Sequence, residues 1–242
     1  MTVYIGTSGW SYDHWQGVLY PPGAPARDRL LWYVRRFVTV EVNSTFYHWP
    51  REATFTNWYQ RLPEGFQLTV KAPRGLTHAA RLLAPEVWLE RMLPRLHLLQ
   101  EKRGVLLVQL PPAMPCDLAR LQYFLQRLPP WLRVALEFRH ASWQQEEVFA
   151  LLERQQVAYC IMSGADLPCI LRATAPFVYV RLHGPDAHHL YAGSYSDDDL
   201  RWWASRLAEW TAQGRDVFVY FNNDGDGNAV RNAEALQGIV SG

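Results

Sequence analysis

The sequence predicts an α/β fold, a single (β/α)8 barrel of the TIM type. Eight short apolar runs, each the length of a buried strand, alternate with segments that repeat apolar residues at helical spacing. Strands that alternate with helices in this way indicate repeated βαβ units and a parallel sheet. Because 242 residues suit a barrel-sized domain, we expect one domain over residues 1–242.

The predicted strands are followed by polar or charged residues. In a closed parallel barrel the C-terminal ends of the strands meet at one face, where enzymes of this fold carry their sites. The chemistry is therefore expected among the residues that end or follow the runs. The runs are Val3–Gly6, Val38–Val42, Phe66–Lys71, Val105–Leu110, Val134–Phe138, Val157–Ile161, Phe177–Leu182 and Val217–Phe221.

Helical periodicity fills most of the intervals between the runs. Pro94 is expected to kink or break the third helix. Ser142 with Gln145, and Ser196 with Asp199, have the spacing of N-terminal caps. The predicted helices are Arg27–Phe37, Thr54–Arg61, Pro85–Lys102, Leu118–Leu128, Ser142–Gln155, Asp197–Gln213 and Asn228–Val240.

Connection lengths distinguish the two ends of the predicted barrel. The helix-to-strand joins are short, whereas three strand-to-helix joins are long: Thr7–Ala26, Asn43–Ala53 and Ala72–Ala84. Long connections in compact domains are usually functional or disordered, and the Trp, Tyr and His content of these favours function. After strand six, Ala165–Pro176 is short and carries two prolines, which predicts a degenerate helix there.

Strand alternation predicts that polar side chains converge on the inside of the barrel. Successive side chains of a strand point to opposite faces, and the continuous apolar set suits the helix-covered outside. A charge on the inner side is costly unless it is paired or used. The residues on that side are Thr39, Glu41 and Asn43; Thr69 and Lys71; Tyr179, Arg181 and His183; and Tyr220, Asn222 and Asp224.

Composition argues against several classes of function. Lys and Arg together number 24 against 23 Asp and Glu, so no overall field attracts nucleic acid or an acidic membrane. Three cysteines are an odd count, and no CxxC pair occurs, which favours a reducing compartment. The N-terminus does not resemble a signal peptide, and no apolar stretch approaches the length of a transmembrane helix. We expect a cytoplasmic protein.

Six motifs give the chain a family resemblance. The strings GTSGWSY, EVNSTFY, QLPP, EFRH, YVRLHG and YFNND occur in this order from strand one to strand eight. They resemble the family called domain of unknown function 72, DUF72. The resemblance implies a TIM-barrel-like fold and a soluble cytoplasmic bacterial or archaeal protein, with no established reaction. Members often carry Asp after strand six, where this chain has Met162, Ser163 and Gly164, and Asp166 follows.

Glu41 and Glu137 are the candidate general acid and base. They end strands two and five, and two carboxylates in unlike environments are usual for such chemistry. His183 is a candidate proton shuttle, and Asp224 is a further candidate catalytic residue. The alternative for the two glutamates is structural pairing with Arg139, Arg181 or Lys71.

The same acids and histidine could hold a divalent metal, Mg, Mn or Zn. No HxH or HExxH spacing supports this, and no nucleotide-cofactor motif is present. His78 and His140 are further possible ligands, although a lone loop histidine is usually solvated. The candidate metal ligands are Glu41, Glu137, His183 and Asp224.

Three kinds of residue are candidates for binding the substrate. Cations near the strand ends suit a carboxylate or phosphate, strand-end amides suit hydroxyl groups, and loop aromatics suit ring stacking. The cations are Lys71, Arg139 and Arg181; the amides are Asn43, Gln109, Asn222 and Asn223; the aromatics are Trp10 and Tyr47.

These residues support one leading hypothesis and two alternatives. The leading hypothesis is an enzyme using acid–base chemistry, with or without a metal, on a small anionic or polyol ligand such as a sugar derivative. Isomerase- or epimerase-like and hydrolase-like reactions both stay open. One alternative is a metal-dependent phosphodiester hydrolase or nuclease, which the net charge of +1 disfavours. The other is a non-catalytic barrel that binds a metabolite or a protein partner. The sequence leaves the oligomeric state open and predicts no membrane partner.

Overall fold

The computed structural model describes all 242 residues and contains the eight predicted strands. The strands are buried along nearly their whole length, as expected for a parallel sheet covered by helices. They are β1 (Val3–Thr7), β2 (Thr39–Val42), β3 (Gln67–Lys71), β4 (Arg103–Gln109), β5 (Val134–Glu137), β6 (Ala158–Ser163), β7 (Phe177–Leu182) and β8 (Asp216–Phe221).

Eight α-helices and one π-helix lie between and after the strands. None of them combines the length and apolar character that a membrane span requires. The α-helices are α1 (Arg29–Tyr33), α2 (Ser44–Tyr47), α3 (Glu52–Arg61), α4 (Glu86–His97), α5 (Leu118–Leu125), α6 (Glu146–Arg154), α7 (Asp197–Ala212) and α8 (Asn228–Ser241), and the π-helix is Gly75–Ala79.

The strand order confirms the predicted fold class. All eight strands belong to one sheet in the order β1-β8-β7-β6-β5-β4-β3-β2. A parallel bridge joins Ser8, directly after β1, to Glu41 of β2, so the first and last strands of that order also meet. Parallel strands in this order, with helices between them, define a (β/α)8 barrel.

The chain divides into two compact units. The first comprises Met1–Glu41, Ile161–Arg172 and Pro176–Gly242. Within it, β8 pairs in parallel with β1 and β7, and the register sets Thr7 and Leu182 each beside Phe221. The residues that follow these three strands therefore emerge at one edge of the sheet.

The second unit comprises Val42–Cys160 and Ala173–Ala175. Its strands β3, β4 and β5 pair in parallel, and β5 also pairs with the first residues of β6. The β4–β5 register sets Gln109 beside Glu137. The expectation of one domain over residues 1–242 stays a prediction.

Two of the predicted helices differ from the structure at their first turns. The segment Arg27–Phe37 is a 3₁₀ turn followed by the five-residue helix α1. The helix expected over Ser142–Gln155 begins only at Glu146, because Ser142 lies in a separate 3₁₀ turn. There the Ser142 hydroxyl accepts the Cys116 N–H at 2.7 Å instead of capping the helix.

Two further expectations concern the start of α7 and the proline within α4. Ser196 and Asp199 form the predicted capping box at the start of α7. Helix α4 continues through Pro94 to His97, and the loss of one backbone hydrogen bond is tolerable there because both Pro94 and Glu90 are exposed.

The connection after β6 contains no helix, so the expected degenerate helix at Ala165–Pro176 is absent. Near its end, the Thr174 hydroxyl accepts the Tyr159 N–H and donates to the Val157 carbonyl, both at 2.7 Å. Thr174 thus satisfies one backbone N–H of β6 and one carbonyl of the residue before it.

Gly6→Ala is expected to destabilise the protein by about 1–3 kcal/mol, because overpacked sites force backbone shifts of that cost. A Cβ atom at Gly6 of β1 would collide with the Thr39 carbonyl oxygen of β2. Urea unfolding measures the effect. The control is Gly238→Ala in α8, where the space is open and alanine should stabilise the helix by up to about 1 kcal/mol. Equal stability of the Gly6 variant and the wild type would contradict the close approach of β1 and β2.

Candidate functional site

A fully buried ion pair lies in the first unit at the C-terminal ends of β2 and β7. Glu41 is 0% and Arg181 1% exposed. Arg181 donates from Nε to Glu41 Oε2 at 2.9 Å and from Nη2 to Oε1 at 2.7 Å. This two-point geometry fixes both side chains, because the planar guanidinium and the carboxylate match each other.

Two hydroxyl groups complete the surroundings of the Glu41 carboxylate. Ser8 Oγ donates to Oε1 at 2.5 Å, and the Tyr179 hydroxyl donates to Oε2 at 2.6 Å. Burial and the neighbouring Glu41 raise the pKa of Tyr179 well above its usual value, so this hydroxyl keeps its proton. Glu41 therefore accepts four hydrogen bonds. Two of them come from Arg181, one of the cations that the sequence analysis named as a structural partner.

The inward-facing set predicted from strand alternation is present in this unit. Thr39 Oγ1 lies 2.6 Å from the Tyr220 hydroxyl, and the Tyr179 and Tyr220 rings are 5.3 Å apart. Together with Glu41 and Arg181, these residues share one side of the sheet, as predicted.

His183 follows β7 and is completely buried. Its backbone N–H donates to the Ser163 carbonyl at 2.7 Å, and its Nδ1 lies 3.2 Å from Nδ2 of Asn222, the residue after β8. With the amide donating, Nδ1 accepts and the ring proton resides on Nε2. The Tyr191 ring packs edge-on against the imidazole at 5.3 Å. Glycine is required at Gly164, because a Cβ there would lie 2.9 Å from His183 Cβ.

Asp224 lies in the turn after β8, beside His14. The Asp224 carbonyl accepts from His14 Nε2 at 2.7 Å, and its carboxylate is 4.0 Å from the same nitrogen. Burial raises the pKa of Asp224, and His14 opposes the shift only in part. The neighbouring Asn223 is buried and donates to the Gly193 carbonyl and to Asn232 Oδ1, both at 2.9 Å. These bonds connect the residue after β8 to the loop before α7 and to helix α8.

Glu137 ends β5 in the second unit and is also completely buried. Its Oε1 accepts from Gln109 Nε2 at 2.9 Å and from Arg139 Nε. The Cys160 thiol lies 4.0 Å from Oε2. Gln109 and Arg139, both predicted to bind substrate, thus contact Glu137, the predicted acid–base residue.

Lys71, Tyr47 and His78 surround Phe46 in the second unit. Lys71 Nζ lies 4.6 Å above the Phe46 ring, and the Tyr47 and His78 rings meet Phe46 edge-on at 5.1 and 4.9 Å. Tyr47 is 77% exposed, as a stacking residue would be. Burial, Lys71 and Arg74 lower the pKa of His78. It sits on the π-helix, so it is not the solvated loop histidine that the sequence suggested.

Asn43 and Trp10 are the remaining residues that the sequence predicted to bind substrate. Asn43 precedes α2, and its side-chain oxygen is buried without a hydrogen-bond partner. Trp10 is partly exposed. No group of three or more His, Cys, Asp or Glu side chains is placed to hold a metal ion. The predicted metal ligands Glu41, Glu137, His183 and Asp224 do not form such a group.

The sequence predicted no site role for several residues of the first unit. Tyr179 was placed in the inward-facing set with Arg181, and Ser8 directly follows β1, but neither was a site candidate. Tyr12 and His14 lie in the long loop after β1, where no periodicity applies. The Tyr12 hydroxyl donates to the Ser8 carbonyl at 2.8 Å, and burial together with Asp224 and Glu41 raises the pKa of Tyr12.

The fold and the site define a (β/α)8 barrel protein with buried, paired charge at the C-terminal ends of its strands. The model of one family matches residues 4–242. The chain belongs to this family, described as Protein of unknown function DUF72.

Relatives and solved structures agree with this assignment. The UPF0759 protein YunF of Bacillus subtilis is 29% identical over 97% of this chain and 93% of its own length. A DUF72 family protein from Thermotoga maritima has a TM-score of 0.89 at 27% identity, with both chains covered completely. A DUF72 family protein from Enterococcus faecalis has a TM-score of 0.81 at 21% identity, covering 99% of this chain and 96% of that one. The last likeness shows the fold alone.

Glu41→Gln is expected to cost about 3–5 kcal/mol of stability, because it leaves the buried Arg181 without its counter-charge. Tyr179→Phe removes one hydrogen bond to the carboxylate and should cost about 1.5–3 kcal/mol. Urea unfolding measures both. Tyr4→Phe is the control, on a ring that stacks on Phe218 in the same unit, and should change stability by less than about 0.5 kcal/mol. A Tyr179→Phe variant as stable as this control would contradict the four-donor arrangement.

Asp224→Asn is expected to stabilise the protein at pH 7 but not in acid. A carboxyl group whose pKa is raised in the folded state binds its proton more tightly there. The resulting stabilisation is present below the ordinary aspartate pKa and is lost as the pH rises through the raised value. Asparagine avoids this loss. Unfolding of the variant and of the exposed control Asp226→Asn is compared between pH 3 and pH 7 (roughly either side of the aspartate range). An Asp224→Asn variant that is less stable than wild type at pH 7 would show that the attraction of His14 for the carboxylate outweighs the cost of burying it.

Proposed function

We propose that this protein is an enzyme that uses general acid–base chemistry on a small, uncharged, hydroxylated substrate of the sugar type. The observation that carries the proposal is the buried Glu41–Arg181 pair with its four donors at the C-terminal ends of β2 and β7.

Stability alone gives little reason for such a pair. Burying two charges has a desolvation cost, and well-packed apolar residues often replace a buried ion pair with neutral or favourable effect. Departures from an apolar interior are expected at functional sites. This one lies at the strand ends where enzymes of this fold carry their sites.

Charge balance favours an uncharged substrate. Arg181 is bonded through two nitrogens to Glu41, and Arg139 through Nε to Glu137. Each arginine thus already faces a carboxylate, which leaves less attraction for an anion than the sequence alone implies. Of the two predicted ligand classes, anionic and polyol, the pairing supports the polyol.

The proton-transfer groups in this proposal are His183 and Asp224. The imidazole of His183 contacts the Asn222 side chain through Nδ1, and imidazole is a suitable group for proton transfer near neutral pH. Asp224 has a raised pKa, which suits a general acid. Glu41 is a positioning residue, since its oxygens are occupied by Ser8, Tyr179 and Arg181.

Access to His183 requires movement of the segment that bears Tyr191. Tyr191 has a φ of +72° and packs on the imidazole. Gly184 and Gly193 flank the segment and also have positive φ values, of 103° and 81°. In this proposal the segment opens to admit substrate and closes to exclude water, as mobile loops do in many enzymes.

The test is solvent-deuterium exchange into sugars. Wild-type protein is incubated in D2O with aldopentoses, aldohexoses and ketohexoses, and with their monophosphates, and replacement of C–H by C–D is followed by NMR. We expect exchange into an uncharged sugar, reduced about 10²- to 10⁴-fold by His183→Gln, the usual contribution of a general acid or base.

His189→Gln is the matched control, because this exposed histidine lies in the same segment of the first unit. It should leave the exchange unchanged, and circular dichroism checks that both variants fold. Exchange only into the monophosphates would overturn the uncharged substrate class. Absence of exchange from every sugar, or full exchange by the His183 variant, would overturn the acid–base proposal.

A further inference from the structure

Two arginines lie close together at the N-terminal ends of β4 and β5 in the second unit. Arg103 is the first residue of β4, and Arg133 directly precedes β5. Arg133 Nη2 donates to Gln67 Oε1 at 2.7 Å and to the Arg103 carbonyl at 3.2 Å. These bonds hold the Arg133 guanidinium next to the backbone of Arg103.

The Arg103 guanidinium is fixed by an aromatic ring and lacks an anionic partner. Its Cζ lies 4.3 Å from the centre of the Trp131 ring, within the range of a cation–π interaction. Its Nη1 is buried without a hydrogen-bond acceptor. Burial and the charge of Arg133 both lower the pKa of Arg103, and no carboxylate opposes them.

This arrangement differs from that of Arg181 and Arg139 described above. Arg181 and Arg139 each face a glutamate, whereas Arg103 faces a second cation. Like charges at short range destabilise the folded state, and an anion placed between them would reverse that effect. Arg103 and Arg133 are both partly exposed, so such an anion can reach them from solvent.

We propose that Arg103 and Arg133 bind a small tetrahedral oxyanion of the phosphate type at the N-terminal ends of β4 and β5. The guanidinium fork suits oxyanion recognition, and both forks are oriented before a ligand arrives, one by Trp131 and the other by Gln67. The site is separate from the proposed acid–base site, which uses the C-terminal ends of the strands, and it does not depend on that proposal.

The test is titration of inorganic phosphate by calorimetry and thermal unfolding, with chloride at matched ionic strength as the salt control. Phosphate should raise the melting temperature of the wild type, and chloride should not. Arg103→Gln should weaken phosphate binding about tenfold or more, the effect of losing a charge-assisted hydrogen bond. Without phosphate this variant should melt at or above the wild-type temperature, because the repulsion from Arg133 is gone.

Arg35→Gln is the matched control, since Arg35 lies 4.5 Å over the Trp32 ring in the first unit. It removes an arginine–tryptophan contact of the same kind and should leave phosphate binding unchanged. A phosphate effect that persists in Arg103→Gln, or that chloride reproduces, would overturn the proposal.

A measurement on the wild type keeps the test decisive if Arg103→Gln fails to fold. Phosphate should shift the side-chain Nε–H signal of Arg103 and the indole N–H signal of Trp131 in a saturable way in ¹⁵N NMR. Both signals staying in place, while phosphate binds elsewhere or not at all, would equally reject this site.

Discussion

The four hydrogen bonds to the Glu41 carboxylate are the constraint on which the first unit depends. They join Ser8 after β1, Glu41 of β2, and Tyr179 and Arg181 of β7 through one buried group. A buried charge in an apolar sheet must be fully satisfied, because each missing partner leaves a desolvation cost of several kcal/mol uncompensated. The carboxylate therefore imposes the relative register of three strand ends, and the residues after them emerge in fixed positions.

That fixed register explains why His183 and Asn222 meet. The β7–β8 pairing sets Leu182 beside Phe221, so the next residues, His183 and Asn222, are neighbours and hydrogen-bond at 3.2 Å. The second unit repeats the device in a smaller form. There the β4–β5 register sets Gln109 beside Glu137, and Arg139 shares the same carboxylate oxygen. In both units a buried glutamate thus joins side chains from neighbouring strand ends.

The strands and their parity could be predicted from sequence because they follow from a local period of two residues. Glu41, Arg181 and Tyr179 share a face for that reason alone. Their pairing was one of several alternatives that the sequence left open, since it depends on which rotamers bring residues 140 positions apart into contact. The roles of Tyr12 and His14 were out of reach because a long loop has no period. Ser142 shows the reverse error, as its capping spacing was genuine but Cys116, from a distant segment, took its hydroxyl.

The two ends of β4 differ in whether the nearby arginines contact a carboxylate. At its C-terminal end Gln109 contacts the Glu137–Arg139 pair, where every charge has an opposite charge beside it. At its N-terminal end Arg103 contacts the Trp131 ring and is repelled by the charge of Arg133. The carboxylate and the guanidinium at the C-terminal end therefore compensate each other's charge. The N-terminal end favours an oxyanion, because only an added negative charge relieves the repulsion. The two ends of the strand thus differ in the partners of their arginines, and this difference is the reason for proposing the oxyanion site at the N-terminal end.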